Sequence, residues 1–337
     1  MTVFPFTAIV GQDQMKLALI LNVVNPSIGG VLIMGEKGTA KSTAVRALAE
    51  LLPEISASQG CPFNCDPEGV LCTSCQEIFH KEGRLFVEKR KMKVVELPLG
   101  VTEDRLVGSL DVEHAIKRGE KKFEPGILAD ANRNFLYVDE VNLLEDHIVD
   151  LLLDAAAMGV NTVEREGISF AHPAQFILVG TMNPEEGDLR PQFLDRFGLC
   201  VRIEALNERQ GRKEILKRRS AFDADAGGFL ARWADQQRQL AADISEAQKL
   251  LPSVTVSEEI LEKIVDVAME LNLDGHRGEI VILRASQALA ALRKNPAVLL
   301  DDVRDAAALA LPHRMKRLPF EEMGSETDKL QAALESL

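Results

Sequence analysis

A glycine-rich segment near the amino end carries side chains suited to holding phosphate. It lies at residues 35–42, between an apolar run at 30–34 and a predicted helix at 41–52. Backbone N–H groups of such a loop can wrap phosphates, and the N-terminus of the following helix adds partial positive charge. We predict that Lys41 reaches the β- and γ-phosphates of ATP and that the Ser42 hydroxyl binds Mg²⁺. The predicted nucleotide-contacting residues of this segment are Gly35, Glu36, Lys37, Gly38, Thr39, Ala40, Lys41, Ser42 and Thr43.

Ala40 stands immediately before the lysine, where glycine is expected. Alanine is tolerable at this position if its backbone φ is negative. A chance glycine-rich turn is the alternative interpretation of the segment, and the strand–loop–helix context argues against it.

Two later apolar runs end in polar side chains. Residues 135–138 lead to Asp139 and Glu140, and residues 176–180 lead to Asn183. Parallel α/β sheets bind ligands at the carboxyl ends of their strands. We predict that Asp139 holds Mg²⁺ through water and that Glu140 polarises the attacking water. An amide at Asn183 can hold the γ-phosphate and that water, and an Asn-Pro turn at a strand end is the alternative.

Two arginines are candidates for stabilising charge on the γ-phosphate. Arg196 precedes an apolar run at 199–203, and Arg277 begins a predicted helix. The transition state of phosphoryl transfer favours an arginine from outside the site, often from a neighbouring subunit. A solvated arginine near a helix end is the alternative for both.

The elements that must position these residues change in kind along the chain. The first two hundred residues alternate short apolar runs with helical stretches, which predicts a mostly parallel α/β sheet. After about residue 205, polar amphipathic helices replace the apolar runs. We predict a nucleotide-binding domain at 1–206 with a cysteine-rich insertion at about 60–76, a helical connection at 207–250 and a helical domain at 251–337.

Composition narrows the classes of function. The 337 residues carry a net charge of −13, which disfavours a protein that coats nucleic acid, because such proteins bind phosphates through basic residues. The first residues lack the charged start of a secretory signal, and no apolar run is long enough for a membrane span. We expect a cytoplasmic, reducing location without membrane partners, and therefore no structural disulfides.

The order of these motifs resembles that of AAA+ ATPases, and longer stretches resemble the ATPase subunit I family of magnesium chelatase. The likeness covers nearly the whole chain, to about residue 322. It rests on stretches longer than the general ATPase motifs require, at residues 6–12, 97–105, 123–129, 140–150 and 183–192.

The resemblance implies an AAA+ nucleotide-binding domain followed by a helical lid. It implies Walker B roles for Asp139 and Glu140, sensor 1 at Asn183, an arginine finger at Arg196 and sensor 2 at Arg277. It also implies that Ile9, Val10 and Gly11 lie by the adenine, that residues 101–125 hold inserted elements and that residues 162–171 form a β-hairpin. Members form hexameric rings with an integrin-like AAA+ subunit, and a large third subunit binds the porphyrin for tetrapyrrole and chlorophyll biosynthesis.

Four cysteines lie within fifteen residues, at Cys61, Cys65, Cys72 and Cys75. Their spacing suits a tetrahedral thiolate site for Zn²⁺. An iron–sulfur cluster, a redox-switched disulfide and plain free thiols are the alternatives. Cys200 lies in an apolar run and is predicted to be a core residue; His80 and His114 are predicted to lie on the surface.

Two features depart from the pattern of phototrophs, Ala40 and the cysteine cluster. Ala-Lys-Ser resembles MoxR-type ATPases and replicative MCM helicases instead. The sequence therefore leaves open insertion of magnesium, cobalt or nickel, and a MoxR-like ATPase that remodels another metalloenzyme. A nucleic-acid translocase is the third hypothesis, which the acidic composition disfavours.

Overall fold

A computed structural model describes residues 2–110, 123–165, 168–187, 189–315 and 325–336. Five strands form one parallel sheet in the order β11-β1-β10-β7-β4. The strands are β1 (Val31–Gly35), β4 (Val94–Leu97), β7 (Phe135–Val138), β10 (Ile177–Met182) and β11 (Leu199–Ile203). The side chains of β7 and β10 are all buried and most of those of β1 and β11 are, as expected of a parallel sheet covered on both faces, whereas the edge strand β4 is buried only at Leu97. The predicted α/β class is confirmed, and strands form at the apolar runs 30–34, 135–138, 176–180 and 199–203.

Three antiparallel pairs lie outside this sheet. They are β2 (Ile55–Ser58) with β3 (Val87–Arg90), β5 (Gly108–Leu110) with β6 (Phe123–Pro125), and β8 (Val160–Arg165) with β9 (Ile168–Pro173). The last pair confirms the predicted hairpin, although residues 166–167 lie outside the described part. Of the inserted elements predicted at 101–125, residues 111–122 lie outside it as well, and so does His114.

Helices connect the strands and make up most of the carboxyl-terminal third of the described chain. In the first two hundred residues they are α1 (Asp13–Val24), α2 (Lys41–Leu51), α3 (Thr73–Glu82), α4 (Glu103–Val107), α5 (Ile127–Ala131), α6 (Asp146–Met158) and α7 (Pro191–Leu194). Those that follow are α8 (Arg209–Ala224), α9 (Ala226–Leu250), α10 (Glu258–Glu270), α11 (Arg277–Leu292), α12 (Leu300–Ala310) and α13 (Ser325–Ser336). Among the described residues, no helix is both long and apolar enough to cross a membrane.

The start of α10 differs in detail from the sequence prediction. Thr255 to Glu258 has the pattern of a capping box, which places the N-cap at Thr255. In the structure the N-cap is Ser257, whose Oγ accepts a hydrogen bond from the Ile260 backbone N–H at 3.3 Å. Thr255 instead pairs with the chain near Pro296, because its backbone N–H donates to the Pro296 carbonyl.

The chain divides into two compact units. Unit 1 comprises Met1–Leu51 and Thr181–Leu337, and unit 2 comprises Leu52–Gly180. Within unit 1, the mostly buried helix α1 packs against β11, α9 and α11, so the carboxyl-terminal helices group with the glycine-rich loop. The division at residues 206 and 250 follows chain order and stays a prediction.

Candidate nucleotide site

The glycine-rich loop of unit 1 has the form that phosphate binding requires. It runs from the end of β1 at Gly35 to the start of α2 at Lys41. The Lys41 side chain folds back over the loop, and its Nζ donates to the Gly35 carbonyl at 2.5 Å. The Thr39 hydroxyl donates to the Glu36 carbonyl at 2.9 Å, which closes the turn. The lysine ammonium therefore lies at the mouth of the loop, where phosphate oxygens would replace the carbonyl.

Three positions in this loop, Gly35, Gly38 and Ala40, have positive φ angles. Gly35 has φ of 151°, and an added Cβ would lie 2.1 Å from the Ile203 carbonyl oxygen, so only glycine fits. Ala40 has φ of 65°. The condition under which alanine is tolerable there, a negative φ, is therefore not met. The left-handed conformation costs alanine roughly 1–2 kcal/mol relative to a right-handed one.

A cavity of about 310 Å³ adjoins the loop within unit 1. Two of the residues predicted to contact adenine, Ile9 and Val10, line it beside the loop residues Gly38, Thr39, Ala40 and Thr43. Gly11 lies against the wall, since a Cβ there would be 3.0 Å from Leu206 Cδ2. The lining residues that the sequence did not suggest are Phe4, Ala8, Gln12, Ala205, Leu206, Arg212, Ile215, Arg218 and Arg219.

These further lining residues come from segments that look unrelated in the sequence. Four of the nine belong to α8, a charged helix that the sequence suggests to be exposed, and one of them, Arg218, is anchored by contacts distant in sequence. Arg218 Nη1 donates to the Ala8 carbonyl at 3.0 Å, and its guanidinium stacks 4.7 Å above the Trp233 ring. An apolar cavity next to a phosphate loop suits a flat base.

The predicted carboxylate pair lies in unit 2. All four residues of β7 are buried, and Asp139 and Glu140 follow where the strand reaches the surface. The Tyr137 hydroxyl donates to Asp139 Oδ1 at 3.0 Å, a contact that the sequence did not suggest. Glu140 has a left-handed φ of 53° and is the N-cap of a short 3-10 helix at Val141–Leu143.

Asn183 directly follows β10 and is buried. Its side-chain oxygen accepts from the Glu185 backbone N–H at 3.3 Å, which is the Asn-Pro turn of the alternative interpretation. The turn and a functional role are compatible, because the amide also carries an NH₂ donor. The next residues join this turn to the phosphate loop through a Lys37–Glu186 ion pair at 2.8 Å.

Of the two candidate arginines in unit 1, Arg277 binds the carboxylate of Asp195, the residue next to Arg196. Arg196 lies in the turn between α7 and β11 and is half-buried. The neighbouring Asp195 accepts from Arg277 Nη1 at 3.3 Å and from Arg314 Nε at 3.1 Å. The structure therefore brings Arg277 to the turn that carries Arg196.

His313 and Arg314, which sequence reasoning missed, hold this turn from the end of the α12 segment. Arg314 Nη2 donates to the carbonyls of Asp195 at 2.9 Å and Phe197 at 2.6 Å, and His313 Nε2 donates to Phe197 at 3.0 Å. Burial lowers the pKa of His313 to about 3 and that of Arg314 to about 10. No local signal could reveal them, since their partners lie over a hundred residues away in the sequence.

The four clustered cysteines are buried together in unit 2 and form no disulfide. Their Sγ atoms all lie within 4.8 Å of one another. Burial raises the pKa of Cys75 to about 12, whereas hydrogen bonds from Cys65 and Cys72 lower that of Cys61. Cys200 is a core residue, as predicted, and burial raises its pKa to about 12. His80 is exposed, also as predicted.

Comparison with protein families identifies two segments. Residues 81–197 match an AAA domain of the dynein-related subfamily, and residues 261–333 match an AAA lid domain. The lid match covers α11 and α12, together with the His313–Arg314 pair.

Curated relatives match over nearly the full length. A magnesium-chelatase subunit ChlI homolog of Methanocaldococcus jannaschii is 57% identical over 98% of this chain and 90% of its own. Magnesium-chelatase subunit ChlI of Nostoc sp. is 53% identical over 96% and 87%. The magnesium-chelatase 38 kDa subunit of Cereibacter sphaeroides is 52% identical over 96% and 95%.

Solved structures agree with these relatives. A chain from a cryo-EM-based model of the complex between subunits BchI and BchD of magnesium chelatase is 47% identical, with a TM-score of 0.55, and the match covers 99% of this chain and 100% of that one. A putative ATPase of Cytophaga hutchinsonii, at 17% identity and a TM-score of 0.65, covers 98% of this chain and 92% of its own and supports the fold alone.

Proposed function

Because the chain belongs to the family of magnesium-chelatase ChlI subunits, we propose that it is the AAA+ ATPase motor of a metal chelatase. Hydrolysis of ATP by this chain would drive insertion of Mg²⁺ into protoporphyrin IX, with the insertion itself carried out by a partner subunit. The observation that carries the proposal is the glycine-rich loop, with Lys41 folded over it, beside an apolar cavity in the same unit.

The residues fit a nucleotide and its Mg²⁺. Gly38 has φ of 86° with nothing within 4 Å of a built Cβ, which leaves room for phosphate against the backbone. Ile9 and Val10 would contact the base, and the loop N–H groups would hold the phosphates. Mg²⁺ would be held by the Ser42 hydroxyl and, through water, by Asp139, and it would offset charge on the β- and γ-phosphates.

The catalytic roles follow from the chemistry of each side chain. Lys41 would neutralise the β- and γ-phosphates, and Glu140 would accept a proton from the attacking water. Asn183 would orient that water through its amide NH₂ group. Tyr137 would keep Asp139 in one orientation through its hydrogen bond, so Tyr137 is a positioning residue.

The arginines would act across subunits and within the lid. We propose that Arg196 reaches the γ-phosphate of a neighbouring copy in a hexameric ring and that Arg277 approaches its own. The partners would be an integrin-like AAA+ subunit and a large porphyrin-binding subunit. The complex of a relative with the BchD subunit supports a chelatase partner subunit for this chain. Besides ATP and Mg²⁺, a structural Zn²⁺ at the four cysteines is proposed, apart from the ATP chemistry.

The test of the ATP site is Lys41→Ala. Without the ammonium the γ-phosphate charge is uncompensated, so we expect ATP turnover to fall at least about a hundredfold. Release of phosphate measures it. Lys89→Ala is the matched control, because Lys89 is an exposed lysine bonded to Ser56 in unit 2. Turnover retained by Lys41→Ala would refute the assignment of the phosphate loop.

The metal is tested by reconstitution. The chain is combined with the integrin-like and large subunits of a relative's magnesium chelatase, MgATP and protoporphyrin IX, and porphyrin fluorescence follows insertion. Insertion of Mg²⁺ supports the proposal. Insertion of Co²⁺ or Ni²⁺ alone would favour a chelatase for another metal, and intact ATPase without any insertion would favour a MoxR-like remodelling ATPase.

A further inference from the structure

The four cysteine sulfurs have the spacing of a site for one metal ion. Cys61 Sγ and Cys72 Sγ are 3.8 Å apart, and all four Sγ atoms lie within 4.8 Å of one another. A tetrahedral ion with metal–sulfur bonds of about 2.3 Å places its sulfurs about 3.8 Å apart. A disulfide requires about 2 Å, and an iron–sulfur cluster separates its thiolates further because irons and sulfides lie between them. One Zn²⁺ fits this spacing best.

The surroundings of the sulfurs are also those of a thiolate site. The Cys72 backbone N–H donates to Cys65 Sγ at 3.2 Å, which stabilises a thiolate. Arg90 brings positive charge close by, since its Nη1 donates to the Cys61 carbonyl and to Asn64 Oδ1, both at 3.4 Å. Four thiolates around Zn²⁺ carry a net charge of −2, which this guanidinium would partly offset.

The loop between the first two cysteines is tied to the rest of unit 2. Asn64 has φ of 50° and donates from Nδ2 to the Asn132 carbonyl at 3.0 Å. Asn132 returns a hydrogen bond from its own Nδ2 to the Phe63 carbonyl at 2.6 Å. Asn132 Oδ1 also accepts from the Gln175 backbone N–H at 2.9 Å, just after β9.

Phe63, which lies between Cys61 and Cys65, packs directly against the hairpin formed by β8 and β9. Its ring stacks on His172 with centroids 4.8 Å apart and lies 5.8 Å from Phe170. Phe170 in turn stacks on Phe123 at 4.1 Å. The aromatic cluster therefore joins the cysteine loop to the hairpin, and the two have no regular backbone pairing in the described residues.

We infer that Cys61, Cys65, Cys72 and Cys75 bind one structural Zn²⁺ and that this ion fixes Phe63 against the β8–β9 hairpin. The inference rests on the Zn²⁺ of the proposed function but not on ATP hydrolysis. The chain forms no strand or helix between Ser58 and Thr73. A bound metal would therefore stabilise this loop in place of regular backbone hydrogen bonds.

Metal content tests whether the four cysteines bind one Zn²⁺. The full chain, purified without chelator, is expected to hold one Zn²⁺ per chain by elemental analysis. Cys72→Ser should lose at least about nine-tenths of it, because a neutral hydroxyl is a poor substitute for thiolate. Cys200→Ser, which alters a buried cysteine in β11, is the matched control and should keep all of it. Iron in place of zinc, or no metal with four free or paired thiols, would overturn the site.

Hydrogen exchange tests whether the ion fixes Phe63 against the hairpin. The wild-type chain is used, so the result does not depend on whether a variant folds. Zn²⁺ is removed with a chelator and then restored. Amides of β8 and β9 should exchange about tenfold faster without the ion and recover with it, while those of α8 in unit 1 stay unchanged.

Phe63→Ala separates the contact between Phe63 and the hairpin from the binding of the metal. This variant should keep one Zn²⁺ and yet show the faster hairpin exchange, because the ring and not the ion touches the hairpin. If the chain binds Zn²⁺ but the exchange of the hairpin amides does not change when the ion is removed, the ion does not fix Phe63 against the hairpin. The assignment of the metal site itself would then stand. Lys41→Ala should lose ATPase activity and keep its Zn²⁺, so a failure of the zinc inference can be told apart from a failure of the proposed nucleotide site.

Discussion

Ala40 keeps a backbone conformation in which glycine is the ordinary residue. Its φ of 65° lies in the left-handed region, directly before Lys41, the lysine proposed to bind the phosphates. Strain of this kind persists only where the surrounding structure determines the backbone, and it gathers at functional sites. Here β1 and α2 fix both ends of the loop, so the angle is imposed on whichever residue stands there.

Ala40→Gly should stabilise the chain. Glycine removes the left-handed strain, so we expect the free energy of unfolding to rise by about 1 kcal/mol, measured by urea titration. Ala44→Gly is the matched control, because Ala44 is buried inside α2, where glycine should cost about 1 kcal/mol. Equal destabilisation by both substitutions would contradict the angle at Ala40.

At this scale the sequence predicted the chemistry but not the geometry. The types and order of Gly35, Lys41 and Ser42 were enough to predict a phosphate loop, because each has a defined task. The angle at Ala40 and the hydrogen bond from Tyr137 to Asp139 depend on neighbours that fold brings near. No residue pattern within the loop encodes them.

The end of the α12 segment acts on an element far away in the sequence. His313 and Arg314 hold the turn of Asp195 to Gly198 by backbone carbonyls, and Arg196 lies within that turn. The sequence predicted from periodicity that this region is helical. It could not predict the contact, because a His-Arg pair after a helix ordinarily faces water.

Acid should weaken this contact through His313. Burial depresses its pKa from 6.5 to about 3, so below pH 6.5 the unfolded chain binds a proton that the folded chain does not. Stability contributed by the neutral ring is therefore complete above pH 6.5 and declines as pH falls towards 3. Between pH 7 and 5 we expect this residue to account for a loss of about 2 kcal/mol.

His313→Gln removes that titration. Urea titrations at pH 7 and pH 5 should show a smaller loss in this variant than in wild type. His80→Gln changes an exposed histidine and should leave the loss unaltered. The same loss in all three proteins would show that His313 does not stay neutral in the folded chain.

For the whole molecule, family membership says more about function than composition does. The acidic charge disfavoured nucleic acid as a partner, and full-length relatives at more than 50% identity are chelatase subunits. Alternating apolar runs and helices were enough to predict the parallel sheet, because strands that are buried on both faces have nearly continuous apolar sequences. The grouping of the last helices with the first 51 residues escaped prediction because it depends on packing of α1.

Subunit mixing tests whether Arg196 acts in a neighbouring copy. Arg196→Ala and Glu140→Gln should each lose most ATP turnover alone. A mixed ring places an intact arginine beside some sites with an intact glutamate, so turnover should recover in part. Mixing Lys41→Ala with Glu140→Gln serves as the control, because both lesions lie on the nucleotide-holding side. No recovery at any ratio would indicate that Arg196 only supports its own turn.

The stacking of Arg218 on Trp233 has a practical consequence. Trp233 is the only tryptophan among the 337 residues, and the guanidinium above its ring belongs to a residue that lines the apolar cavity. A base entering the cavity would shift that guanidinium and so alter the indole's emission. If the cavity binds the base, as proposed, titration with nucleotide is expected to change the intrinsic tryptophan fluorescence, which would measure the affinity without a label.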